Sequence, residues 1–73
     1  MSYPEELRTR LAEEDPEFRE LYQAHQAKEM RLQELSRKGV LTPEEEHEEK
    51  LLKKEKLRLK DQMEAILRSR MNN

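Results

Sequence analysis

The chain has 73 residues, 15 of them Lys or Arg and 17 Asp or Glu, so 44% is charged, 33% is hydrophobic and the formal net charge is −2. That length has room for one small domain spanning residues 1–73, and one Gly with no Cys excludes Gly-rich phosphate loops, disulfide frameworks and thiolate metal sites. No stretch approaches the roughly 20 apolar residues of a membrane span, and the opening run MSYPEELRTR lacks the apolar core of a signal peptide.

Plus and minus charges interleave as on solvated helices. Glu46–Lys50, Glu49–Lys53 and Glu64–Arg68 have the spacing of stabilising pairs, acid first. Such heavy charge can signal disorder, but the apolar residues are periodic, which favours folded helices. Ser2 with Glu5 three residues later reads as a capping box, with Pro4 in the first turn. It predicts a short helix over about residues 3–13 with Leu7 and Leu11 on one face. Asp15-Pro16 is a second start, because Asp caps and Pro at the first helical position loses no needed N–H. The helix it opens is predicted over 16–38, and Gly39 is expected to close it in the left-handed conformation. In Thr42-Pro43-Glu44-Glu45, Thr42 caps, Pro43 opens the helix and Glu45 completes a second capping box. The last helix is predicted over 43–70. A connection over 39–42 is short enough to force its neighbours antiparallel. The expected fold is all-α: an antiparallel helical hairpin with a short N-terminal helix.

At about 100° per residue, Phe18, Tyr22, His25, Glu29, Leu32 and Ser36 share one face, flanked by Leu21 and Leu35. On the second arm Leu52, Leu59, Met63, Ile66 and Leu67 form the matching stripe, with Lys56 and Arg70 inside it. Folding about the turn brings residue i near about 81 − i. Phe18 then meets Met63 or Ile66, Leu21 meets Leu59, Leu32 meets Leu52, and Leu7 and Leu11 cover Leu67 and Met71.

The same register places His25 near Lys56 with Glu29 one turn away. These three form a small charged cluster that could bind an anion or sense pH. The plainer reading, which is favoured, is an inlaid polar cluster that fixes helix register. His47 stands alone among glutamates, and the two histidines lie on different arms, so no metal site is expected. Nor is a cofactor or a catalytic constellation, for want of a nucleophile–base pair and of bulk for a pocket.

The back of the second arm carries Lys50, Lys53, Lys54, Leu57 and Lys60, with Leu51 at its edge. Its lysines could meet nucleic-acid phosphates or an acidic lipid surface. A solvated helix face explains them more simply, since acids bracket the patch and no aromatics interleave it. Two leucines outside the intramolecular stripe point to a second packing surface. A hairpin contacts itself along a single seam, whereas pairing into a four-helix bundle gives each stripe a second neighbour. A homodimer is therefore predicted, with higher assembly through the Leu51/Leu57 face.

The run Lys53-Lys54-Glu55-Lys56-Leu57-Arg58-Leu59-Lys60-Asp61-Gln62-Met63, continuing to Ile66-Leu67, resembles the C-terminal signature of the YdcH-like family of small bacterial proteins, a domain of unknown function. Asp15-Pro16-Glu17-Phe18, then Leu21 and Tyr22, then His25 and Leu32, agree with its N-terminal half, so the resemblance covers about residues 5–68. Lys28 departs from the pattern, which has Leu there, and weakens the first arm's apolar flank. The resemblance implies a self-associating helical hairpin in the bacterial cytoplasm and brings no established activity, cofactor or substrate. It also implies that His25, Lys56, Leu57, Leu59, Lys60 and Asp61 belong to a family pattern. The expected function is that of a non-enzymatic adaptor or regulator acting on a protein partner through helix packing. The alternative is a nucleic-acid-associated accessory protein using the basic face.

Overall fold

The computed structural model describes residues 4–71, which form α1 (Glu5–Glu14), α2 (Pro16–Ser36) and α3 (Pro43–Met71), with no strand among them. Ser2, half of the first predicted capping box, lies outside the described residues. No side chain caps α1 at Pro4, and the Leu7 and Arg8 amides reach the Pro4 carbonyl at 3.2 and 3.3 Å. Glu5 and Glu6 place negative charge at the positive end of this helix.

Asp15 ends one helix and begins the next. Its amide donates to the Leu11 carbonyl at 2.8 Å, closing α1. Its carboxylate accepts from the Glu17 and Phe18 amides at 3.0 and 3.3 Å, capping α2 in front of Pro16. The α1 carbonyls left without helical partners are met from α2, where Arg19 donates to the Ala12 and Glu13 oxygens at 2.6 and 2.5 Å. That guanidinium also supplies the positive charge that the last turn of α1 lacks.

The exit from α2 departs from expectation. The helix stops at Ser36, and Gly39 does not take a positive φ. Arg37 keeps a right-handed helical conformation, and its amide with that of Lys38 captures the last carbonyls through bonds to Gln33, Glu34 and Leu35. With those oxygens satisfied by a tightened final turn, no left-handed residue is needed. The start of α3 follows the predicted box: the Glu45 amide donates to Thr42 Oγ1 at 3.1 Å, and the Thr42 amide to Glu45 Oε1 at 3.0 Å.

Ion pairs tie α3 to α2 and to the turn that follows it. Lys38 binds Glu45, Arg31 grips both Glu48 oxygens at 2.8 and 2.9 Å, Lys28 meets Glu55 at 3.1 Å, and Glu29 binds Lys56. At the far end Arg70 reaches Asp15 at 2.8 Å. These pairs lie within about one helical turn of the line predicted from the turn position. Of the expected pairs within α3, Glu49–Lys53 comes to 4.0 Å, while Glu46–Lys50 and Glu64–Arg68 do not close.

The core sits at the end distant from the turn. Leu11, Phe18, Met63 and Leu67 are buried together, with Leu7, Ala12, Leu21, Tyr22 and Ile66 packed around them. Phe18 and Tyr22 stack with ring centroids 6.2 Å apart. Leu35, predicted only to flank the stripe, is fully buried near the turn, whereas Ser36 and Met71 are exposed. Leu32, Leu52 and Leu59 are half-buried. The chain is long and thin, 47 × 21 × 17 Å, with a radius of gyration of 14.3 Å. A compact chain of this length would come to about 11 Å.

Candidate functional site

Three helices converge on a cleft of about 370 Å³ beside the core. Leu11 docks on Phe18 and Leu67, and Arg8, one turn earlier on the same face of α1, is thereby brought over α2 and α3. His25 and Glu29 enter from α2, and Lys56, Lys60 and Glu64 from α3. Met63 and Leu67 complete the lining and are buried in the core behind it.

The structure brings His25, Glu29 and Lys56 together. None of the three is buried, and the described residues include no buried polar or charged side chain. They occupy the rim of the seam and not its interior, lining the cleft while remaining partly exposed. Lys56 binds the Glu29 carboxylate and holds it below the usual glutamate range. The His25 imidazole is held below its ordinary 6.5, first by partial burial and then by the Lys56 charge, with Arg8 and Lys60 adding to the effect and Glu29 opposing it. The surroundings thus favour neutral His25.

Arg8 is the member that sequence reasoning missed. A signal for it existed, since Leu7 and Leu11 fix the docking face of α1 and Arg8 is three residues from Leu11. Lys60, assigned to the back of α3 from its helical angle, lines the cleft instead while remaining exposed. Lys28, which departs from the family pattern, uses its charge to hold Glu55.

The other predicted face does not form an enclosed site. Lys50, Lys53 and Lys54 are exposed, and so are Leu51 at 48% and Leu57 at 58%. Met30 on α2 is exposed at 66%, an outward apolar side chain absent from the predicted faces. Among the described residues no three His, Cys, Asp or Glu side chains are grouped to hold a metal ion, and no helix is long and apolar enough to cross a membrane.

No curated protein and no solved structure matches the chain. The family described as "Protein of unknown function (DUF465)" matches residues 18–67, from the buried Phe18 at the start of α2 to the buried Leu67 near the end of α3. That segment is well over half of the chain and includes the whole charged cluster except Arg8. The YdcH-like proteins fall within this same family, and the chain belongs to it.

Proposed function

We propose that this protein is a non-enzymatic, cytoplasmic interaction module: an antiparallel helical hairpin that pairs with a second copy and offers helix faces to a protein partner as a small adaptor or regulator. The observation that carries the reading is the disproportion between core and surface. Among the described residues five hydrophobic side chains are buried, while Met30, Leu51 and Leu57 point outward from the two long helices. Accessible surface amounts to 5775 Å². A compact monomer of 8.9 kDa would expose only about 4,800 Å². The excess, roughly 1,000 Å², is of the size that each partner covers in a standard protein–protein interface, about 800 Å².

Sedimentation at micromolar concentration is expected to give a dimer or higher species. A folded monomer would overturn the proposal. Replacing Leu51 and Leu57 together by Ser is expected to leave helicity intact, since both face solvent in the single chain. If the pair forms part of the assembly face, the same variant shifts the sedimentation equilibrium toward smaller species.

One observation supports a second reading, a nucleic-acid accessory role. Lys50, Lys53, Lys54 and Lys60 are all exposed, and the ion pair among them is the long Glu49–Lys53 contact. Phosphate binding by this face would weaken steeply from low to physiological salt, whereas helix packing would not. Charge reversal of Lys53, Lys54 and Lys60 with every interaction preserved would eliminate it.

A further inference from the structure

We propose that the second copy docks on the flank of the hairpin that α1 leaves bare, with α2 of one chain lying on α3 of its partner. The inference rests on the self-association proposed above and assigns it a surface. A shallow groove between α2 and α3 is lined by Glu17, Leu21, Gln62, Ala65 and Ile66, and no residue of α1 contributes to it. Arg8 instead lines the cleft beside Lys56 and Lys60, and Thr9 and Ala12 line a groove beside Tyr22. On α3, Gln62, Ala65 and Ile66 turn away from Lys60, Met63 and Leu67 of the cleft, so the two openings lie on different flanks. The bare flank suits close helix packing. Leu21 and Ile66 are half-buried at the edge of the core, Ala24 is half-buried one turn beyond Leu21, and Ala65 is exposed. The small alanines let a facing helix approach closely. Leu51, exposed at 48%, continues the stripe two heptads before Ala65, whereas Leu57 lies about 120° round the helix from Leu51.

Area and charge point to the occupant. The single chain exposes roughly 1,000 Å² more than a compact monomer of its mass, about what one partner covers in a standard interface. Exposed Glu17 and Glu20 border the flank on α2 and exposed Arg58 borders it on α3, and none of the three has an ion pair among the described residues. A two-fold axis along the rod sets α2 against the partner's α3 at the same height. Glu20 of each copy then comes within about one turn of the partner's Arg58, so the acidic edge of each chain meets the basic edge of the other.

Sedimentation equilibrium of the full chain at micromolar concentration, with helicity followed by circular dichroism, tests the surface. The parent is expected to dimerise. Ala65→Glu should weaken the dimer at least about tenfold with helicity unchanged, because its carboxylate is exposed in the single chain but faces the partner's Glu17 in the pair. Arg58→Glu should weaken the dimer severalfold, and combining it with Glu20→Arg should restore it. Leu57→Ser should dimerise as the parent does. Should Ala65→Glu lose helicity, Arg58→Glu and the charge swap decide alone. A parent that dimerises while Ala65→Glu dimerises equally well overturns this surface and leaves self-association standing, and so does a dimer weakened by Leu57→Ser. No effect of Arg58→Glu, or a swap that fails to restore the dimer, overturns the pairing of α2 with the partner's α3. A monomeric parent overturns the self-association and this surface together, and the bare flank would then belong to a different partner.

Discussion

Phe18 is fully buried, touches side chains from α1 and α3, and stacks on Tyr22. Large-to-small changes at such positions cost about 3–5 kcal/mol through lost transfer energy and the cavity left behind. With five buried hydrophobics among the described residues, Phe18→Ala is expected to lose most of the helical circular dichroism at 25 °C. His25 makes the opposite kind of contribution. The unfolded chain carries it near 6.5 and the folded chain lower, so between those values the unfolded state binds more protons and stability falls as pH drops. Above 6.5 the penalty is absent, and below the folded value it is complete. His25→Leu is therefore expected to fold, to melt at a higher temperature than the parent at pH 5, and to lose the pH dependence of that window. Loss of folding in this variant would mean that the imidazole is structurally indispensable.

The helix boundaries carry predictions of their own. Thr42→Ala removes one half of the capping box at the start of α3 and should cost about 1 kcal/mol, lowering the melting temperature by roughly 4–8 °C. Gly39→Ala should do the reverse. Gly39 has no positive φ, and a Cβ built there meets nothing within 4 Å, so reduced freedom in the unfolded chain should add about 0.4–1 kcal/mol. A left-handed Gly39, as first expected, would make the same change destabilising. Four carboxylates respond to acid together. Asp15, Glu29, Glu45 and Glu48 are held below their ordinary values by hydrogen bonds from Arg70, Lys56, Lys38 and Arg31 respectively, Glu45 down to about 2. Each contributes stability above its unfolded value of 3.8 or 4.5 that is lost on the way down through the folded value. Thermal unfolding measured from pH 5 to pH 2 should show this decline. The starts at Asp15 and Thr42 were legible because their side chains act on amides two or three residues away. The end of α2 was not, since the competition between a left-handed Gly39 and a tightened last turn depends on where the chain must go next.

At the scale of the molecule, the spacing of Phe18, Leu21 and Tyr22 against Met63, Ile66 and Leu67 located the core, and the turn position located the bridges to within a turn. Helical angles alone gave less at Leu35, Arg8 and Lys60. A helical wheel treats each arm as having one face along its whole length, whereas α1 packs on only part of the long pair. The face that is covered therefore changes with height. Four of the five buried hydrophobics lie where α1 docks, and Leu35 lies alone toward the turn among Lys38–Glu45, Arg31–Glu48 and Lys28–Glu55. The two ends of the rod should accordingly answer to different solvents. Salt screens partly exposed ion pairs and leaves apolar contacts in place, so added electrolyte should speed amide exchange around residues 31–48 while leaving Phe18 and Leu67 protected. A small amount of urea, which solvates apolar and peptide groups alike, should act at both ends. The molecule would then loosen like a clothes-peg, its jaws at the turn governed by ionic strength and its spring at Phe18 by solvent quality.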